Sequence, residues 1–134
     1  MSFSLYFMTV DAALSEQQLL AAFGEHVSLR PDSGWDIRYD EQNESLLDCT
    51  RTEAGEIDSF SIERPCGDDR LFEGLFALLR EHALFLTYPA EVAVCVVGSE
   101  ATAEKVRAKF ADESPELVEA LRICESASDL MLEE

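Results

Sequence analysis

The sequence predicts an α+β fold: a single domain with a largely antiparallel sheet, a three-stranded meander, and helices packed mainly on one face. Three observations carry this. Between residues 35 and 64, three stretches of alternating apolar and polar residues are separated only by short polar turns, which marks antiparallel neighbours. Runs with helical periodicity flank that block on both sides. The 134 residues are 47% hydrophobic, which suits one ordinary domain with a core of its own.

Residues 2–10, SFSLYFMTV, set Phe3, Leu5 and Phe7 on one side and Tyr6, Met8 and Val10 on the other. Both sides are mainly apolar, so this is expected to be an interior strand. Ser15 followed by Gln18 forms a capping-box pattern and opens a helix with the stripe Leu19, Leu20, Phe23 and Val27. RPDSG, residues 30–34, is turn chemistry that ends this unit. In the meander, Trp35, Ile37 and Tyr39 alternate with Asp36, Arg38 and Asp40. A weaker strand over 45–52 carries Leu47 and Cys49. Residues 57–64 send Phe60 and Ile62 inward and Ser59, Ser61 and Glu63 outward.

Pro65 ends that strand, Cys66-Gly67 turns the chain, and Asp68 or Asp69 caps the next helix. Leu71, Phe72, Leu75, Phe76, Leu78 and Leu79 share one arc, opposite Glu73, Arg80 and Glu81, so the helix runs to about His82. LFLTYP, 84–89, is a buried connection or a short strand, and Pro89 restricts the chain beyond it. Residues 92–97 have no polar side and read as a strand covered on both faces. Gly98-Ser99 leads into a helix through Phe110, with Ala103, Val106 and Phe110 inward. Ser114-Pro115 is an N-cap followed by proline at the first helical position. LRICE, 121–125, is a final short strand, and Ser126 or Ser128 caps a terminal helical turn.

Charge narrows the partner class. Net charge is −18, with 28 acidic and 10 basic residues. Nucleic acid and anionic membrane surfaces both need a basic footprint, so neither is expected as a partner. Attraction to a basic protein is favoured. Acid is densest over 35–70 and 99–134. No apolar run approaches the roughly 20 residues of a membrane span. The first ten residues have neither the basic start nor the cleavage site of a signal peptide, so a cytoplasmic location is expected.

Features that invite chemistry read as structure. Cys49, Cys66, Cys95 and Cys124 form no C-x-x-C pair, so neither structural zinc nor a disulfide framework is expected. Cys66 lies near a helix N-terminus, which can make a thiol reactive, but Asp68 and Asp69 disfavour a thiolate. His82 is about 20 Å away along the helix, and His26 near the end of the first helix suits a capping role. Gly98-Ser99 occupies the place of an anion-binding turn, yet Glu100 and Glu104 come next and no lysine completes a phosphate loop. Asp36 and Asp40 share a strand face, and Asp48 is expected opposite them. Such carboxylates serve hydrolases and metal enzymes, and more commonly form a solvated face. No cofactor is expected.

The run FSIERPCGDDRLFEGLFALLREH (60–82), the proline-led apolar strand after it, and LVEAL (117–121) resemble a group of short, uncharacterised bacterial proteins. Members pair a strand ending in E-R-P with an amphipathic helix. The resemblance implies a bacterial origin and one α+β domain, and it transfers no catalytic residue. Small acidic bacterial proteins of this kind are often toxin-immunity proteins, an analogy of fold and charge.

The expected function is therefore non-enzymatic protein binding, of the immunity type. Asp36, Asp40, Glu41, Glu44, Asp48 and Glu63 on the outer face of the meander would steer a basic partner, and Trp35 or Tyr39 would anchor it, although Trp35 opening a strand reads first as core and only otherwise as an edge-exposed anchor. The alternatives are a small hydrolase or metal-dependent enzyme using the same carboxylates, and a structural homo-oligomer. A monomer or a homodimer fits the binding role.

Overall fold

A computed structural model describes residues 4–31, 34–66, 68–88, 91 and 93–130. The expectations at Phe3, Asp32, Ser33, Gly67, Pro89 and Val92 lie outside the described residues. In chain order the elements are β1 (Ser4–Thr9), α1 (Glu16–Ala21), β2 (Val27–Leu29), β3 (Trp35–Arg38), β4 (Glu44–Arg51) and β5 (Ile57–Glu63). They continue with α2 (Asp69–Glu81), β6 (Leu84–Thr87), β7 (Cys95–Val97), α3 (Glu100–Phe110), α4 (Pro115–Glu119) and β8 (Leu121–Ile123). Single 3-10 turns cover Gly24–His26 and Ala127–Leu130.

The chain forms an α+β domain around one eight-stranded sheet of order β2-β3-β4-β5-β1-β6-β7-β8. Every neighbouring pair is antiparallel except β7 and β8, which are parallel. The expected meander, β3-β4-β5, is present and gains a fourth strand, β2. The stripe that places Val27 on the first helix does not extend that far. Instead α1 ends at Ala21, Gly24 turns the chain at a φ of 58°, and Val27 opens β2 opposite Ile37.

Alternation along β6 divides the core. Leu84 and Leu86 join Leu5, Phe7, Leu47, Ile62 and the buried stripe of α2 in the main cluster. Phe85, between them, points to the opposite face and packs with Cys95, Val97, Ala103 and Val106. So α1 and α2 cover one face of the sheet, while α3 covers the reverse face only at the end formed by β6, β7 and β8. Phe7 and Phe60 stack in the main cluster with ring centroids 4.6 Å apart. Phe85 meets Phe110 edge-on at 5.6 Å in the smaller one.

This arrangement corrects the reading of β1. The strand is central, and yet its second face is not covered. Tyr6 is 43% and Met8 44% exposed, because α3 lies over β6 and β7 and stops short of β1.

A candidate binding groove on the open sheet face

The uncovered face is built by register. Tyr6 of β1 pairs with Thr87 on one side and Ser61 on the other, and Ser61 pairs with Asp48, giving a row Thr87–Tyr6–Ser61–Asp48. The next row runs Met8–Ser59–Thr50. These side chains line a groove of about 340 Å³. Phe7 and Phe60 contribute only their backbones to its floor, since their rings point into the core.

Carboxylates gather at one end. Asp36 pairs with Leu46, which pairs with Glu63, and Asp48 stands diagonal to Glu63 on the same face. The Asp48 carboxylate lies close enough to Glu63 to accept a hydrogen bond from its protonated carboxyl. That bond, burial and the Asp48 charge push the Glu63 carboxyl above its ordinary range, against the opposing pull of Arg30 and Arg64. Arg30 Nε lies 3.7 Å from Asp36 Oδ1. Gly34, with φ 75°, leaves room for this arrangement: a Cβ there would sit 2.5 Å from Asp48 Oδ1.

The eight residues expected to bind a partner fall into three places. Asp36, Glu44, Asp48 and Glu63 lie on the open face, where Glu44 sits 3.9 Å from Arg38. Asp40 and Glu41 lie off the strand, because β3 ends at Arg38 and the hairpin turn begins. Glu41 is exposed there. Asp40 is occupied by its own turn: Oδ1 accepts from the backbone N–H of Gln42 at 2.8 Å and of Asn43 at 2.9 Å, and the Asn43 amide donates to both oxygens. These bonds, the Asn43 side chain first, hold its carboxyl below the usual range. The expected grouping of Asp36, Asp40 and Asp48 on one strand face therefore does not form.

Trp35 is 5% exposed and belongs to the core, the first of its two expected roles, and the alternative of an edge-exposed anchor is corrected because its position in β3 faces the main cluster. Tyr39 is half-buried on that same side. It packs on His26 at 4.7 Å, with the Arg70 guanidinium 4.9 Å above its ring. Burial first, then Cys66 and Asp68, push its phenol up to about 12, with Arg70 opposing. Arg70 in turn donates to Asp68 at 2.9 and 2.8 Å and holds that carboxyl down to about 2.

The stretch SIERPCGDD resolves into a corner. Arg64 takes a left-handed φ of 54°, and the buried Ser45 hydroxyl clamps the turn. It donates to the Arg64 carbonyl at 3.1 Å and accepts from the Cys66 N–H at 2.9 Å. His82 caps the far end of α2, and His26 packs against the Tyr39 ring at a tilt of 46°. Among the described residues no three His, Cys, Asp or Glu side chains converge well enough to hold a metal ion.

Tyr6 and Met8 are the groove residues that sequence reasoning missed. Apolar residues on both sides of a strand look like double coverage. The countersign was present in Ser59 and Ser61, hydroxyls expected to face outward, but only the register sets them beside Tyr6 and Met8.

In comparisons with known proteins, no family model, no curated protein and no solved structure matches this chain. No helix among the described residues is long and apolar enough to cross a membrane.

Proposed function

We propose that this is a non-enzymatic binding protein, an immunity-type inhibitor of the bacterial cytoplasm, that receives a basic protein partner on the open sheet face. The observation that carries the reading is the groove itself. It joins an exposed aromatic and an exposed thioether, Tyr6 and Met8, to the Asp48 carboxylate, with Glu63 next to Asp48 on the same face. Apolar area desolvated at the centre supplies affinity, and surrounding acid supplies steering. A chain of net charge −18 raises the encounter rate with a cationic partner by about 10- to 1000-fold at low salt.

The second reading, a hydrolase using these carboxylates, draws on the same pair, since unequal carboxyls can act as acid and base. Against it, Asp48 lines the groove and Glu63 does not, so the two carboxyls do not both face a substrate bound there.

The test is capture from the native host with the intact chain and with a Tyr6→Ala/Asp48→Asn double variant. A basic protein retained by the first and lost by the second, with association that slows steeply as salt rises, is the expected result. Recovery of no basic protein, or equal retention by both chains, overturns the proposal.

A further inference from the structure

Among the described residues, guanidinium groups lie against aromatic rings in three places, and two of these use the same two parts. Arg70 lies 4.9 Å from the Tyr39 ring centre and donates two hydrogen bonds to Asp68. Arg51 lies 5.9 Å from the Trp35 ring centre and donates to Glu16 at 2.7 Å. In these two, the cation lies against a ring and donates from its N–H groups to a carboxylate.

The groove repeats these parts: Tyr6 and Asp48 line it, and a second carboxyl, Glu63, stands beside Asp48 on the same sheet face. Tyr6 and Asp48 stand in the same cross-strand row with only Ser61 between them, and Glu63 stands diagonal to Asp48 on the same face. Two strand spacings separate Tyr6 from Asp48, roughly 10 Å between Cα atoms, which leaves width for one planar group. Among the described residues, no arginine or lysine lies over the Tyr6 ring, although four other rings carry one.

Resting on the binding reading above, we propose that the groove receives an arginine side chain of the partner. The guanidinium lies on Tyr6, its N–H edges meet the Asp48–Glu63 pair, and its methylene stem runs along Met8. Arginine fits better than lysine for a geometric reason. Two adjacent carboxyls present a row of acceptors, and a guanidinium has five donors in one plane to meet them while its face stacks. An ammonium is a hydrated point charge with no face to offer the ring.

The test is an NMR titration of the isotope-labelled protein with N-acetylarginine amide and, separately, N-acetyllysine amide, two probes of equal charge. Saturable shifts at Tyr6, Asp48 and Ser61 are expected for the arginine probe, with binding of the lysine probe roughly fivefold weaker. Asp48→Asn and Tyr6→Leu should each weaken arginine binding by several-fold while the rest of the spectrum stays in place. Equal response to the two probes at the groove overturns the arginine assignment and leaves the basic-partner reading standing. Unimpaired binding by both variants overturns the assignment too. Shifts scattered over the surface, or no saturable shift with either probe, overturn both.

Discussion

Gly74 brings α2 so close to Ala22, the C-cap of α1, that a Cβ at position 74 would lie 2.6 Å from the Ala22 carbonyl oxygen. Two effects compete in Gly74→Ala. Helix propensity alone would stabilise the variant by about 1 kcal/mol. The clash is with backbone, which cannot swing aside, and overpacking of this kind costs about 1–3 kcal/mol. The clash should win. Urea denaturation is expected to show a lower midpoint with an unchanged slope, and a raised midpoint would show that the two helices separate freely.

Ser45 is 1% exposed and supplies both hydrogen bonds that hold the Arg64–Cys66 turn. Ser45→Ala leaves a carbonyl and an N–H without their partner, a loss of about 1–3 kcal/mol. Hydrogen exchange at the Cys66 amide should accelerate in the variant. Unchanged protection there would mean that the hydroxyl is not the clamp.

The Tyr39 hydroxyl is buried with no hydrogen-bond partner among the described residues. Removing it leaves no other group unsatisfied, so Tyr39→Phe should be neutral or more stable by up to about 1 kcal/mol. Ultraviolet titration should show one phenol ionising near 12, absent from the variant. Destabilisation by more than about 1 kcal/mol would show a bonded hydroxyl.

For Glu63 the pH dependence has a definite sign. Its carboxyl is raised above the ordinary value of 4.5 in the folded chain, chiefly by the Asp48 hydrogen bond, so the folded state holds the proton more tightly than the unfolded one. The resulting stability is present in full below that ordinary value and is lost as pH rises through the raised one. Glu63→Gln keeps a donor toward Asp48 without titrating, so its stability should vary less across that window. Denaturation midpoints measured against pH for both chains decide it, and parallel profiles would sink the pairing. Loss of the proton also frees the pair for a cation, so arginine binding should strengthen over the same pH rise.

Elements were legible in the sequence wherever the determining contacts are local. Ser15 and Gln18 make both bonds of their capping box. Asp68 and Ser99 cap α2 and α3, and Pro115 sits in the first turn of α4. Each of these features is settled within about four residues, the reach of a helical turn. The three alternating stretches became β3, β4 and β5 for the same reason: period-2 patterning is a property of one strand.

By itself, then, the sequence determined the α+β class, most of the helix caps and the acidic character of the chain. Only tertiary structure decided that Asp40 closes a turn and that β1 keeps one open face. It alone matched Asp48 with Glu63 and set Tyr6 beside them. Register and layer stacking join residues many positions apart, and nothing in the spacing along the chain records which strand lies next to which.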